Sequence, residues 1–281
     1  MDRWVFDTFT LYDHDYMDQK YVETLSKYNY KIFANWACLY QDELNTPLEA
    51  DIRIIVLGGS TTSAILESTW SYHLYRELSQ FTTNLAILNG GCGTYNSFSE
   101  FMKLNRDISS INPTHVLSLS GVNDTVVPNK ISNGFAKMLI EPLVKGNLFT
   151  RFNDCIPEVA RPIRWIEETL HMNSICNNYN ADFMRFLQPC LGSPCNPTSS
   201  MSPVLLDMII NSRRMFGEQY VEYVDYFYRT IVSSQLPSCI KNISALLPNH
   251  EDLWQDSRHP SDKGYLLIAQ EIMKTIKPSL T

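Results

Sequence analysis

The chain of 281 residues contains no apolar run near the ~20 residues that a membrane-crossing helix needs. Its opening stretch, MDRWVFDTFTLYDHDYMDQKY, has neither a basic n-region nor an apolar h-region, so it does not read as a secretion signal. Positive charge is in deficit. The 23 Lys and Arg against 30 Asp and Glu leave a net charge of −7, which counts against a nucleic-acid partner, because such partners require a basic surface. None of the seven cysteines forms a C-x-x-C pair, so neither a zinc site nor a thioredoxin-type motif is supported. The first glycine-rich turn, GGSTTS, lacks the G-x-G-x-x-G spacing of a dinucleotide site and the lysine of a P-loop. Internal repeats and low-complexity tracts are missing as well. The missing signal and membrane span lead to the expectation of a soluble cytoplasmic protein, and the acidic balance does not argue against a neutral or sugar-like substrate.

What is present is apolar and regular. At 44% hydrophobic residues the chain can bury a substantial core, and its length suits one large α/β domain or two small ones. Residues 1–50 are aromatic-rich and mixed in polarity. They read as an N-terminal extension with some helix, packed on a main domain of residues 51–281. Within the extension KIFANWACLY places its apolar residues at helical spacing, which makes Trp36 a packing residue. From residue 51, short β-branched runs alternate with helical patterns. Strands are predicted at IRIIVL (52–57), NLAILN (84–89), THVLSLS (114–120) and ADFMRFLQP (181–189), with a short fifth near NISALL. Helices are predicted near WSYHLYRELSQF, over SFSEFMKLNRDIS, through a long stretch of about 203–232, and over SDKGYLLIAQEIMKTI, where Ser261 or Asp262 is the cap. Such alternation implies a parallel sheet covered on both faces.

Two segments exceed ordinary connections. They are 121–160 and the Pro-, Ser- and Cys-rich 190–202, and each is either a wall of a substrate cleft or a surface excursion without a role. In the second, PCLGSPCNP brings Cys190 and Cys195 close together. A loop disulfide stays open there, and free thiols are the expected state if the protein is intracellular.

In an open parallel sheet, ligands bind at the carboxyl ends of the strands. The first predicted strand ends in GGSTT with Ser60, the second in NGGCGTYNS with Gly93, and the third in GVND with Asn123. The weak fifth is followed by DSRHP, with Asp256 and His259. Strand direction alone puts all four sets on one edge. Taken singly each has an ordinary reading. GGS is a strand-to-helix turn with serine as N-cap, GVND is a good turn, and DSRHP suits a surface loop. His115 opens a strand and His73 and His171 fall in helical patterns, so these three read as structural. Jointly the four sets are complementary in chemistry. A serine hydroxyl needs a base to become a nucleophile, a histidine serves as that base when a carboxylate holds its ring, and backbone N–H groups with an asparagine amide can receive an oxyanion. A helix starting at Ser60 would also favour negative charge there.

These blocks resemble those of the SGNH hydrolases, the superfamily of GDSL esterases and lipases. Ser60 in LGGSTT, Gly93 in NGGCGTYNS, Asn123 in GVND and His259 in DSRH match its four named residues, with Asp256 three positions before the histidine. The match spans residue 52 to about 275. The resemblance implies a three-layer α/β/α fold with a flavodoxin-like parallel sheet of about five strands. It also implies ester hydrolysis through an acyl-serine: Ser60 attacks, His259 is the base, and Asp256 orients it. The Ser60 N–H, the Gly93 N–H and the Asn123 amide line the oxyanion hole, and no metal or cofactor is needed. Two departures stand out. Gly59 occupies the place of the acidic residue in Gly-Asp-Ser-Leu. In the second block the glycine comes four residues after Asn89 where many members have five, so alignment on TYNS puts Thr94 at that position instead. The nucleophile elbow G-x-S-x-G is not met, since Thr62 stands where its second glycine belongs.

The leading expectation is a serine esterase removing a small acyl group, such as acetyl, from a carbohydrate. A sugar O-acyltransferase using the same acyl-serine is the alternative, and a non-catalytic binding protein of the same fold is a second. Nothing in the sequence speaks to oligomeric state.

Overall fold

The computed structural model describes residues 25–64, 68–125 and 160–280, with Glu23 and two paired dipeptides, β1 (Trp4–Val5) and β2 (Asp13–His14). The main sheet is built from β3 (Lys31–Phe33), β4 (Trp36–Tyr40), β5 (Ile52–Gly58), β6 (Leu85–Asn89), β7 (His115–Ser120), β8 (Asp182–Leu187) and β9 (Ile240–Asn242). Its spatial order is β3-β4-β6-β5-β7-β8-β9. The five strands from β5 onward are mutually parallel, while β3 and β4 are antiparallel additions at one edge. The parallel part has the flavodoxin-like order, whose topological switch point lies between β5 and β7.

The sequence of β5 shows how the layers form. Ile54 and Val56 face one core, Ile55 and Leu57 the other, and all four are fully buried. Each such side chain contributes roughly 1.5–3 kcal/mol on leaving water. The first core is closed by α1 (Trp70–Leu78), α4 (Pro203–Phe216) and α6 (Asp262–Ile276). The second is closed by α2 (Ser97–Ile111), α3 (Arg161–Asn178) and α5 (Tyr220–Ser233). The fold is therefore α/β, in three layers, α/β/α. Among the described residues no helix is long and apolar enough to cross a membrane.

The structure corrects three expectations. KIFANWACLY is not helical; it forms the β3–β4 hairpin, turning at Ala34 with φ of +50°. Residues Trp36–Leu39 are all buried, and a strand covered on both faces shows no alternation to distinguish it from a helix. Trp36 nevertheless packs, with the Lys103 ammonium 4.7 Å from its ring centroid. The stretch 203–232 is two helices, separated where Gly217 takes φ of +102°. Ser60 does not begin a helix: the chain after β5 makes one turn, with Thr62 N–H and Ser63 N–H both donating to the Gly59 carbonyl at 3.0 and 3.1 Å, and α1 starts only at Trp70. Of the two candidate caps of α6, Ser261 is the one whose side chain accepts from Gly264 N–H.

Candidate active site

Gly58 makes the exit from β5 possible. It has φ of +154°, and a Cβ there would lie 2.6 Å from the Leu119 carbonyl of the neighbouring strand. Only a residue without a side chain turns at this point. The turn leaves Ser60 half-buried while Thr61, Thr62 and Ser63 behind it are buried.

His259 arrives from the opposite side on a clasped loop. Trp254 bridges to Pro260, Gln255 N–H donates to the His259 carbonyl at 2.9 Å, and Ser261 N–H donates to the Leu253 carbonyl at 2.9 Å. This brings the His259 ring to Ser60 across 199 positions of sequence, with Oγ and Nε2 2.6 Å apart. Its other nitrogen, Nδ1, lies 2.8 Å from Asp256 Oδ2. With Nδ1–H donating to the carboxylate, Nε2 is the acceptor and can take the serine proton. Asp256 Oδ1 meanwhile accepts the N–H groups of Arg258 and His259 at 2.8 and 2.9 Å. Burial pushes the Asp256 carboxyl upward, but the His259 bond and charge and these two N–H donors outweigh it, so Asp256 is held below the ordinary carboxylate range.

Asn123, in the short 3₁₀ turn Val122–Thr125 after β7, lies against Gly59, the residue before Ser60. Its Nδ2 donates to the Tyr95 carbonyl at 2.7 Å. It is also packed so closely on Gly59 that a Cβ at residue 59 would collide with Nδ2. Gly59 therefore leaves room for the amide where the eponymous family pattern has an acidic side chain. Gly93 and Thr94 occupy a turn closed by Tyr95 N–H donating to the Cys92 carbonyl at 3.1 Å, and Thr94 takes φ of +69°. Among the described residues, neither the Ser60 N–H nor the Gly93 N–H has a hydrogen-bond acceptor. All the residues singled out from the sequence thus come to the carboxyl edge of the sheet, at the β5–β7 switch point.

Three residues were not foreseen. Arg258 donates to Asn123 Oδ1 and lies 4.5 Å from the Phe216 ring centroid. Tyr95 contributes its carbonyl. Buried Gln188, just past the end of β8, accepts from Thr61 Oγ1 at 3.4 Å and donates to the Arg258 carbonyl at 3.5 Å, linking the serine turn to the histidine loop. The strand-end rule that found the other sites applies equally to β8 and would have found Gln188.

Of the two long segments, 190–202 lies behind the histidine loop. Leu191 N–H donates to the Ser257 carbonyl at 3.0 Å, and Cys190, Leu191 and Ser193 are fully buried. Cys190 and Cys195 are free thiols. The other segment falls for the most part, at 126–159, outside the described residues.

A second Ser-His-Asp set differs instructively. Ser68 and His73 both bond to Asp262 Oδ1. With the carboxylate in the middle no base faces the hydroxyl, and the group ties α1 to α6. Among the described residues no three His, Cys, Asp or Glu side chains converge on a metal-sized site.

No family model matches the chain, and no curated protein matches its sequence. In fold it is similar to solved lipolytic proteins and esterases. A lipase/acylhydrolase from Enterococcus faecalis shares 14% identity over 81% of this chain and 96% of that one, with a TM-score of 0.49. The psychrotrophic esterase EstA from Pseudoalteromonas sp. shares 18% over 82% and 99%, with a TM-score of 0.46. The acetyl xylan esterase AlAXEase shares 14% over 80% and 100%, also at 0.46. These likenesses concern the fold alone.

Proposed function

We propose that the chain is a serine esterase that releases a small acyl group, such as acetyl, from a carbohydrate or similar alcohol through an acyl-serine intermediate. The observation that carries this reading is the contact of Ser60 Oγ with His259 Nε2 at 2.6 Å, with Asp256 on the far nitrogen. In the reaction Ser60 Oγ attacks the ester carbonyl and its proton passes to Nε2. The carbonyl oxygen becomes an oxyanion, received by the Ser60 N–H, the Asn123 amide and a backbone N–H at Gly93 or Thr94. Collapse expels the alcohol, which takes the proton from His259. Water then repeats the sequence on the acyl-serine, and His259 returns the proton to Oγ. The imidazolium formed midway is matched by Asp256, whose donors keep it ionised.

The test is hydrolysis of p-nitrophenyl acetate by the wild type and by Ser60→Ala. The variant is expected to lose about 10⁴-fold or more in kcat, because the members of such a unit fail together, with an unchanged melting temperature. Wild-type-like turnover in Ser60→Ala would remove the nucleophile and this reading with it. An acyl-length series on acetylated and longer-chain sugar esters then sets the substrate class. Acyl groups appearing only on an added sugar and never in water would replace hydrolysis by acyl transfer.

A further inference from the structure

We infer that Arg258 is a positioning residue that fixes and polarises the Asn123 amide as an oxyanion donor; this rests on the esterase reading above. A carboxamide has two ends of nearly equal size, and only its NH₂ end can donate. Around Asn123 each end is specified. The Tyr95 carbonyl accepts from Nδ2 at 2.7 Å, and the Arg258 guanidinium donates to Oδ1. Turning the amide over would set two acceptors face to face at Tyr95 and two donors face to face at Arg258. Neither arrangement is stable away from water. The Tyr95 carbonyl occupies one hydrogen of Nδ2. The second remains on the end of the amide that packs against Gly59, next to Ser60.

The guanidinium does more than choose an orientation. A charged donor on Oδ1 draws electron density from the amide and makes its remaining N–H a stronger donor to developing negative charge. Arg258 is itself held firmly. It is 9% exposed, its ring partner Phe216 closes α4, and its own backbone N–H is bonded to Asp256. Among the described residues its Nη2 donates to Asn123 Oδ1, while its Nε has no hydrogen-bond partner. The loop that delivers the base and its orienting carboxylate therefore also delivers the clamp on the amide opposite.

The experiment is a double-mutant cycle on p-nitrophenyl acetate with Arg258→Met and Asn123→Ala, run beside Ser60→Ala. Asn123→Ala is expected to lower kcat by about 10²–10³-fold, the usual cost of one oxyanion donor. Arg258→Met should lower kcat at least 10-fold with KM changed less than about 3-fold, and Arg258→Lys should recover part of the loss because it keeps the charge (about 2–5-fold, from charge-assisted bonding without the fork). In the Asn123→Ala background, Arg258→Met should cost less than about 3-fold further, since no amide is left to orient. Equal factors in both backgrounds, or a change confined to KM, would overturn the proposal while an inactive Ser60→Ala leaves the esterase reading standing. Full turnover by Ser60→Ala would overturn both. Should Arg258→Met not fold, Arg258→Lys takes its place in the cycle, with non-additivity against Asn123→Ala expected and additivity decisive against the proposal.

Discussion

Two carboxylates in this molecule each face a cationic or basic partner and are driven in opposite directions. Asp256, at the sheet edge, has its side chain 51% exposed and both oxygens bonded: Oδ1 to two backbone N–H groups, Oδ2 to the His259 ring. It is held below the ordinary carboxylate range. Glu100, in the first turn of α2, is fully buried beside Arg185, 3.0 Å away, and Ser118. Its Oε1 has no partner among the described residues, and burial pushes its carboxyl up to about 7 despite the arginine. Asp124, next in sequence to Asn123, behaves like Glu100: its Oδ1 takes the N–H and hydroxyl of Ser97, its Oδ2 is unpartnered, and burial pushes it up to about 6. The difference shows that a neighbouring cation does not by itself settle ionisation. The number of donors on both oxygens, set against loss of water, decides it. The carboxylate at the edge of the sheet keeps its charge, whereas the core holds carboxylates whose charge it only partly compensates.

That contrast can be broken at either end. The largest effect is expected from Asp256→Asn, which preserves shape but presents the wrong hydrogen to His259 Nδ1; kcat should fall about 10⁴-fold, with little change in the thermal midpoint. Next is Arg185→Met, which strands Glu100 without its cation. Urea unfolding should show a loss of about 3–5 kcal/mol, and the protein that remains folded should keep its turnover. The smallest effect is a slope. Glu100 binds its proton more tightly folded than unfolded, so its contribution to stability is complete below its unfolded pKa of 4.5 and is lost as pH rises through about 7. The urea midpoint should fall over that window, and Glu100→Gln should flatten the decline. An equal slope in the variant would place the proton uptake elsewhere.

Much of the candidate site was legible because its marks are local. Short β-branched runs ending in Gly-Gly-Ser, Gly-Val-Asn-Asp and the like mark strand exits, and parallel strands must exit on one edge. That logic singled out Ser60, Gly93 and Asn123 and, after the weak fifth strand, Asp256 and His259. It missed the β3–β4 hairpin because strands buried on both faces lose the alternation that distinguishes them from helices. It missed Arg258 because an arginine inside Asp-Ser-Arg-His carries no local mark of its partner, which lies 135 positions away. It missed the Glu100–Arg185 pair for the same reason, at 85 positions.

The sequence alone determined the alternation of strands and helices, the edge on which the polar groups collect, and the kinds of group found there, since periodicity and turn chemistry act over a few residues. Tertiary structure decided the strand order, the antiparallel hairpin on one side of the sheet, and the direction in which each buried carboxylate is driven. It also decided that the Asn123 amide turns its Nδ2 to the Tyr95 carbonyl and its Oδ1 to Arg258. These depend on contacts between residues far apart in the chain and on how much water each contact excludes, and neither is written in any local pattern.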